Sequence, residues 1–192
     1  MGRAFCYTGA ECRSDCVKFI DIGFAGAWLV EAAPAQDERG SFAEWWEREA
    51  FGQRGLFTAI EQVSSAQNHK ALTLRGMHFQ CAPFVQAKLV SCSAGAIYDV
   101  IVDLRADSTT FKSWHGIELH ADDTRAIYIP AGFAHGYLTL TDASTVDYLI
   151  SGKYSPQHAR GVRWNDPAFN IRWPAAPAVI SPRDAQYPDF IA

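Results

Sequence analysis

The stretch Pro130-Ala131-Gly132-Phe133-Ala134-His135 decides the fold of this 192-residue chain. A proline and a glycine at this spacing indicate a sharp turn, because proline fixes its own φ and glycine adopts backbone conformations that other residues avoid. The turn lies between two strand-like runs, 126–129 and 136–140. The pattern therefore predicts a tight connection between two β-strands, with the imidazole of His135 presented beside it.

Similar runs recur along the chain, with Gly, Pro, Asp and Ser between them. Short strands at this spacing are typical of an all-β barrel or jelly roll. The predicted strands are 17–22, 27–31, 41–46, 57–63, 72–78, 85–93, 96–104, 114–120, 126–129, 136–140 and 145–150. Alternation within 41–46 would place Phe42, Glu44 and Trp46 on one face of its strand.

Helices are expected to be short and few, and to lie mainly in the C-terminal region. One is also predicted over 47–54, ending at Gly55. The proline-rich tail from Tyr154 onward is expected to wrap the barrel as ordered loops with a short helix or two. We therefore expect a mobile N-terminal extension, 1–16, followed by a single jelly-roll domain over 17–192 with a wrapping C-terminal segment.

The composition argues against several classes of protein. A net charge of −4 disfavours a broad nucleic-acid surface, which would be basic, although a few arginines can still hold a small anion. No apolar run reaches the roughly 18 residues needed to span a bilayer, and the N-terminus lacks the apolar segment of a secretory signal. Cys6, Cys12 and Cys16 are expected to be reduced thiols, since their spacing does not match a zinc site. These features predict a cytoplasmic protein that binds neither membranes nor nucleic acid.

The P-x-G-x-x-H pattern of 130–135 is that of the second cupin motif, which projects a histidine into a jelly-roll barrel. A cupin metal site also needs the first motif, an H-x-H pair with a glutamate a few residues later. The corresponding segment here reads His78-Phe79-Gln80, and no glutamate follows before Glu118. Three or four metal ligands cannot be assembled from these residues. We therefore predict a cupin-like barrel that uses no metal ion.

Three polar side chains, those of His78, Lys88 and His135, are candidates for the interior of this barrel. His78 stands near the end of the run 74–80 (LRGMHFQ) and can be a metal ligand, a general base or a hydrogen-bonded core residue. Lys88 lies in a run of Leu, Val and Cys, where burial is costly without a function or a partner. The alternative for Lys88 is an edge position from which the amine reaches solvent. His135 can equally be a structural residue after the turn.

Seven segments occur in the order in which one known family carries them. They are 37–42 (DERGSF), 73–80 (TLRGMHFQ), 88–90 (KLV), 95–105 (GAIYDVIVDLR), 129–136 (IPAGFAHG), 163–168 (RWNDPA) and 180–184 (ISPRD). Through them the chain resembles the dTDP-4-dehydrorhamnose 3,5-epimerase family from roughly residue 18 to residue 190. The resemblance implies a metal-free jelly-roll epimerase that needs no cofactor and acts on a nucleotide-linked 4-keto-6-deoxysugar. It also implies a homodimer in which an N-terminal strand crosses to the partner subunit.

Such an enzyme removes a weakly acidic C–H proton beside the ketone, stabilises the enolate oxygen and returns a proton to the opposite face. By the resemblance, His78 is the base, and Asp184 pairs with it and fixes its tautomer. Lys88 matches a lysine near the C4 oxygen of the sugar, where a cation favours the developing enolate. Tyr148 matches a tyrosine that acts as acid from the opposite face. Without the resemblance it would be an ordinary strand aromatic.

The same resemblance implies a further set of substrate-binding residues: Arg39, Phe42, Glu44, Gln62, Arg75, His135 and Tyr154. The two arginines would bind the diphosphate through charge-assisted, bidentate hydrogen bonds. The aromatic rings of Phe42 and Tyr154 would stack on the base, and the carboxylate of Glu44 would accept its N–H. Gln62 would lie near the sugar, and His135 would contact the substrate.

Three positions depart from the family pattern. The segment 62–65 (QVSS) stands where Gln-Asp-Asn-His is common, 149–153 (LISGK) also differs, and Leu72 replaces a glycine or other small residue. The two segments leave open the exact sugar, the nucleotide, and whether C3, C5 or both carbons are inverted, and the sequence does not explain Leu72.

The main hypothesis is an epimerase that acts at C3 and/or C5 of a dTDP-4-keto-6-deoxyhexose in rhamnose-type deoxysugar biosynthesis. Within enzymes, the alternative is a single-carbon epimerase acting on another NDP-4-keto sugar. From other classes, the alternatives are a nucleotide-sugar-binding cupin without activity and a metal-dependent cupin oxygenase.

Overall fold

The computed structural model describes residues 17–191. The predicted 1–16 extension, with its three cysteines, lies outside the described residues. In chain order the strands are β1 (Val17–Asp21), β2 (Trp28–Ala32), β3 (Ala35–Asp37), β4 (Gly40–Phe42), β5 (Gln62–Asn68), β6 (Thr73–Gln80), β7 (Lys88–Ala94), β8 (Ala96–Asp103), β9 (Trp114–His120), β10 (Arg125–Ile129), β11 (Phe133–Thr139), β12 (Ser144–Ile150), β13 (Ala159–Gly161) and β14 (Val179–Ile180). The helices are α1 (Arg48–Gly52) and α2 (Pro182–Ala185).

Two six-stranded sheets form the predicted jelly-roll barrel. The first sheet has the order β1-β2-β10-β7-β12-β5, and the second has the order β13-β6-β11-β8-β9, with β14 parallel to β6. Apolar side chains alternate inward from both sheets and form one core cluster, in which Val90 and Ile127 of the first sheet meet Ile101 and Leu119 of the second. All four of these side chains are at most 1% exposed. The all-β prediction is therefore confirmed.

The strand prediction fails in two places near the N-terminus. The run 41–46 is extended only as far as Phe42, because Trp45 and Trp46 leave the hairpin to pack with Phe51 on the outer face of the first sheet. The placement of Phe42, Glu44 and Trp46 on one strand face is wrong for the same reason. The predicted strand 57–63 begins only at Gln62.

Strand β5 instead runs through the polar residues 64–68, which the pattern did not mark as a strand. It lies at the edge of the first sheet, where β12 is its only partner among residues 17–191, and several of its side chains face solvent. A polar composition is ordinary for such an edge strand. Helix α1 matches the predicted 47–54 helix in position, and the Glu47 carboxylate caps it by accepting from the backbone N–H groups of Glu49 and Ala50.

Two facing glycines allow β6 and β11 to approach each other closely. A side-chain carbon on Gly76 would lie 2.5 Å from the Gly136 Cα, and one on Gly136 would lie 2.8 Å from the Arg75 carbonyl oxygen. Gly76 also has a φ of +146°. The glycines of the R-G-M-H and A-H-G segments therefore serve the same strand contact, which sets His78 directly opposite His135 in the ladder.

The C-terminal tail packs against the outer face of the second sheet. Val162 and Phe169 are 4% exposed and lie against Val100, Val102 and other residues of that face. Strand β13 pairs with one edge of β6, and β14 pairs with the residues that begin β6. Helix α2 then follows directly, with the Ser181 hydroxyl accepting from the backbone N–H of Asp184 at 3.1 Å. The tail thereby carries Asp184 to the middle of β6.

The structure explains the unusual Leu72. Its φ is +57°, a left-handed conformation that glycine adopts without strain and leucine does not. A non-glycine residue in this conformation costs about 1–2 kcal/mol. Replacement by glycine removes that cost, but the greater conformational entropy of glycine in the unfolded chain offsets about 0.5–1 kcal/mol of the gain. Leu72→Gly is therefore expected to raise the free energy of unfolding by about 0.5–1 kcal/mol, measured by urea denaturation.

The matched control for that change is Leu104→Gly, since Leu104 is also half-buried but does not have a positive φ. It should lower the free energy of unfolding. A loss of stability in Leu72→Gly as well would mean that the packing of the leucine side chain outweighs its backbone strain.

Candidate active site

A cavity of about 310 Å³ opens between the two sheets, and most of the predicted site residues line it. The second sheet contributes His78 from β6 and His135 from β11, which pair directly across the two strands. The first sheet contributes Lys88 from β7 and Tyr148 from β12. Lys88 pairs with the residue two positions after Tyr148, so both side chains project from the same face. The two histidines and the Lys–Tyr pair therefore occupy opposite walls.

His78 and Asp184 form a hydrogen-bonded pair. The His78 Nε2 lies 2.8 Å from the Asp184 Oδ1, and the side chains are 40% and 6% exposed. Burial would raise the pKa of Asp184, but the hydrogen bonds from His78, Gly76 and Ser181 hold that pKa below its usual value. An ionised carboxylate on Nε2 leaves Nδ1 of a neutral imidazole able to accept a proton. This is the arrangement of a general base with a fixed tautomer.

Lys88 is half-buried in the cavity wall and carries a perturbed amine. Burial lowers the pKa of Lys88 to about 8, although the Asp99 carboxylate raises it. The alternative of an edge lysine is wrong, because β7 lies between β10 and β12 within the first sheet. A cation on the cavity wall is suited to stabilise negative charge that develops there.

His135 forms a second pair, with Asp99 on β8. Its Nε2 lies 2.8 Å from the Asp99 Oδ2, and the two side chains are 4% and 0% exposed. Burial lowers the pKa of His135, while Asp99 acts in the opposite direction. With Nε2 donating to the carboxylate, the neutral ring offers Nδ1 as an acceptor to a hydroxyl in the cavity. The other carboxylate oxygen, Oδ1, is buried without a hydrogen-bond partner.

Tyr148 faces these histidines from the first sheet. Its ring packs edge-on against the His135 ring at a centroid distance of 6.0 Å. Burial raises the pKa of Tyr148 well above its usual value, and the nearby Tyr137 and Asp99 add to the effect. The phenol therefore keeps its proton at neutral pH and can act as an acid.

Arg75 and Tyr154 also line the cavity, near its opening. Arg75 is exposed, and its Nε donates to the Asn68 Oδ1 at 2.8 Å. Tyr154 is 48% exposed. Gln62 lies one step back from the lining, since its Oε1 is 3.5 Å from the amide nitrogen of the lining residue Gln86.

Three predicted binding residues lie away from this cavity within one chain. Arg39 is exposed on the β3–β4 hairpin and pairs with Asp37, to which its Nε donates at 3.1 Å. Phe42 is 65% exposed, and Glu44 is exposed just after the hairpin. Large apolar side chains that stay in water often mark a surface that contacts another molecule.

The structure adds site residues that the sequence interpretation missed: Asn68, Asp99, Tyr137 and Arg183. Arg183 lines both this cavity and an adjoining one beside α2. Arg75 and His78 also line both cavities, so two guanidinium groups lie near His78. The strand period offered a signal for one of the others, since Tyr137 follows His135 by two residues and so shares its face of β11.

Within residues 17–191, no group of three or more His, Cys, Asp or Glu side chains is arranged to hold a metal ion. None of the helices in that part of the chain has the length and apolar character needed to cross a membrane.

The model of one protein family, described as dTDP-4-dehydrorhamnose 3,5-epimerase, matches residues 21–191. The chain belongs to this family. A relative named dTDP-4-dehydrorhamnose 3,5-epimerase from Mycolicibacterium smegmatis is 41% identical, over 88% of this chain and 84% of the relative. The chain is accordingly an epimerase, and the predicted family and isomerase class are confirmed.

Solved structures of the family have the same fold. The dTDP-4-dehydrorhamnose 3,5-epimerase of Bacillus anthracis, crystallised with TDP and pyrophosphate, aligns with a TM-score of 0.87 at 40% identity, over 91% of this chain and 99% of that one. ChmJ, a 3'-monoepimerase from Streptomyces bikiniensis crystallised with dTDP-quinovose, aligns with a TM-score of 0.81 at 36% identity, over 88% and 85% of the two chains. The family likeness therefore includes enzymes that act at one carbon as well as at two.

Proposed function

We propose that this epimerase inverts C3 and C5 of a dTDP-4-keto-6-deoxyhexose by removing and returning a proton beside the ketone. The observation that carries the proposal is the placement of a His–Asp pair and a protonated tyrosine on opposite walls of one cavity. Inversion needs a base on one face of the sugar and an acid on the other. A protein that only bound the sugar would need neither.

Each step of the reaction has a residue in this cavity. His78 accepts the C–H proton, and the ionised Asp184 stabilises the imidazolium that forms. The electrons of that C–H bond move to the C4 oxygen, where the Lys88 ammonium stabilises the enolate. Tyr148 then donates its proton to the same carbon from the other face. Exchange with water returns both side chains to their starting states.

Substrate binding is assigned to the outer part of the site. Arg75 and Arg183 would bind the diphosphate, because both residues line the cavity and are exposed. The exposed ring of Tyr154 would stack on the base, and Gln62 would lie near the sugar. His135 would accept a hydrogen bond from a sugar hydroxyl. The TDP and dTDP-quinovose of the two solved relatives support a dTDP-linked substrate.

The predicted cytoplasmic location stays a prediction.

We further propose a homodimer in which the β3–β4 hairpin of each chain completes the site of its partner. The hairpin holds Arg39 and Phe42 exposed and away from the cavity of its own chain. Arginine, aromatic and carboxylate side chains are the types that would bind a nucleoside diphosphate. A symmetric dimer would use the same contact twice.

Mixing two inactive variants tests that arrangement. Arg39→Ala/Phe42→Ala and His78→Asn should each lose most of their activity. Refolded together, they should recover about a quarter of the wild-type rate, because half of the dimers are mixed and each mixed dimer has one intact site. If activity does not return although light scattering shows dimers, the hairpin acts in the site of its own subunit or in neither site.

The pH profile of the free enzyme should report Lys88. Its pKa of about 8 means that the ammonium is lost as the pH rises through that value, so kcat/KM should fall above pH 8. Lys88→Arg keeps its charge at all accessible pH values, so that variant should be slower but should lack the alkaline fall. If the variant falls at the same pH as the wild type, another group causes the alkaline limb.

The reaction itself is tested by proton NMR of dTDP-4-keto-6-deoxyglucose incubated with the protein in D₂O. Deuterium at both C3 and C5 is expected. Deuterium at C3 alone would match the specificity of the 3'-monoepimerase ChmJ. No exchange at either carbon, with the folded protein and with CDP- and GDP-linked keto sugars also tried, would overturn the catalytic proposal.

A further inference from the structure

Tyr187, a tyrosine of the C-terminal tail, packs beside the imidazole of the proposed base. The ring centroids of His78 and Tyr187 are 5.9 Å apart, and the two ring planes are nearly perpendicular, at 71°. Aromatic rings attract each other in this arrangement. Tyr187 is half-buried and follows directly after α2, the helix that carries Asp184. One short stretch of the tail therefore supplies two neighbours of the imidazole.

A glycine on the adjoining strand leaves room for this ring. Gly161 of β13 pairs with His78 of β6, and residues that pair directly present their side chains to the same face of a sheet. A side-chain carbon on Gly161 would lie within 2.7 Å of three carbons of the Tyr187 ring. Any larger residue at this position would therefore displace the ring from its place beside the imidazole.

The contacts of Tyr187 are made by its ring and not by its hydroxyl. The guanidinium carbon of Arg183 lies 5.7 Å from the ring centroid, within the range of a cation–π contact. The Tyr187 hydroxyl is buried and has no hydrogen-bond partner among residues 17–191. A phenylalanine at this position would therefore keep the contacts that hold the ring.

This ring supplies a restraint that Asp184 alone does not give. The carboxylate anchors the His78 Nε2 at 2.8 Å, but in an imidazole Nε2 lies much closer to the axis of the Cβ–Cγ bond than Nδ1 does. Rotation about that bond therefore moves Nδ1, the atom that accepts the proton, more than it moves the anchored nitrogen. The His78 side chain is 40% exposed, so the Tyr187 ring limits this rotation on a side chain that is otherwise partly open.

We propose that Tyr187 is a positioning residue that sets the plane of the His78 imidazole, and that Gly161 gives its ring the space to do so. This role rests on the proposed function, since the plane of the ring matters to the reaction only if His78 is the base. Both residues lie outside the seven segments that carry the family resemblance. Loss of the ring should slow proton removal, so deuterium uptake and inversion should fall together.

The test measures kcat and KM for deuterium uptake into the keto sugar in D₂O. Tyr187→Ala should lower kcat about tenfold or more, because a small displacement of the base removes it from the geometry of attack. Its KM, and its Kd for dTDP, should stay within about fivefold of wild type, since the exposed Arg183 loses only one weak contact. Tyr187→Phe should keep kcat within about twofold of wild type. Equal losses in both variants would assign the role to the hydroxyl and overturn the proposal.

Gly161→Ala tests the same contact from the other side, and it does so even if Tyr187→Ala does not fold. Gly161 does not have a positive φ, so the backbone accepts alanine and the effect falls on the ring. Its kcat should fall as in Tyr187→Ala. The double variant should be no slower than Tyr187→Ala alone, because the added methyl group acts only through the ring. Losses that multiply in the double variant would overturn the joint assignment of the two residues.

Phe190→Ala is the matched control, because it removes another aromatic ring from the same tail. This ring packs against Phe111 and Phe169, at centroid distances of 6.1 and 5.4 Å, and does not line the cavity. The variant should be less stable but should keep kcat within about twofold of wild type. An equal loss of kcat in Phe190→Ala and Tyr187→Ala would reduce Tyr187 to general packing of the tail and overturn the proposal.

The two proposals fail differently. If wild type takes up no deuterium, the proposed function is lost. If wild type exchanges and Tyr187→Ala exchanges at the same rate, only the role of Tyr187 is lost.

Discussion

Replacing His78 with asparagine should abolish deuterium uptake from D₂O at the carbons beside the ketone, with a rate at least about 1,000-fold below that of wild type. An asparagine has no basic nitrogen, so the C–H proton has no acceptor. Its side chain does not reach the position of Nε2, but the Asp184 carboxylate, which is 6% exposed, keeps the hydrogen bond from the Gly76 N–H at 3.1 Å. The variant thus removes the base while keeping a hydrogen bond that holds α2 against β6.

Binding should survive this change. The guanidinium groups and the Tyr154 ring are separate from the imidazole, so the Kd for dTDP should stay within about threefold of wild type. His120→Asn is the matched control, since His120 lies on the edge strand β9 and does not line the cavity. It should exchange at the wild-type rate. Uptake in His78→Asn within tenfold of wild type would remove His78 from the role of base.

Much of the barrel could be predicted because buried strands reveal themselves by composition. The predicted 114–120 strand matches β9 at both ends, and 96–104 and 126–129 are within one residue of β8 and β10. These strands carry alternating or continuous apolar side chains, which the two-residue period places against the core. Strand β5 gives no such signal, because most of its side chains are polar and Asn68 is its one buried residue.

The site was only partly predictable, for a physical reason. His78 and His135 stand beside turns and glycines whose spacing is visible in the sequence, and the ladder makes them neighbours. Asp184 is 106 residues from its partner, and only the family resemblance joined the two. Asn68 acts through a buried amide, and its importance depends on four contacts that no local pattern records.

The hairpin residues show a different limit. Arg39, Phe42 and Glu44 were assigned to the substrate by resemblance, and one chain leaves them exposed. A sequence motif specifies residue types and order, but it does not say in which subunit's cavity a side chain ends. The mixing experiment addresses this directly.

Replacing Tyr148 with phenylalanine should separate the two halves of the reaction. His78 and Lys88 remain, so a proton can still be removed and the enolate can still be stabilised. Without the phenol, the intermediate is reprotonated mainly by the imidazolium on the face from which the proton left. Net inversion should fall about 100-fold or more, whereas deuterium uptake into sugar of the original configuration should fall less than about fivefold.

The measurement is a single NMR time course that records both products, with Tyr98→Phe as the control. Tyr98 is a half-buried tyrosine of β8 that packs with Trp173 under the tail and lies outside the cavity. Equal losses of uptake and inversion in Tyr148→Phe would show that the phenol is needed before the proton leaves, which is a binding or orienting role. Full activity would exclude Tyr148 as the acid. The first sheet would then not be needed to supply the group that protonates the opposite face of the sugar.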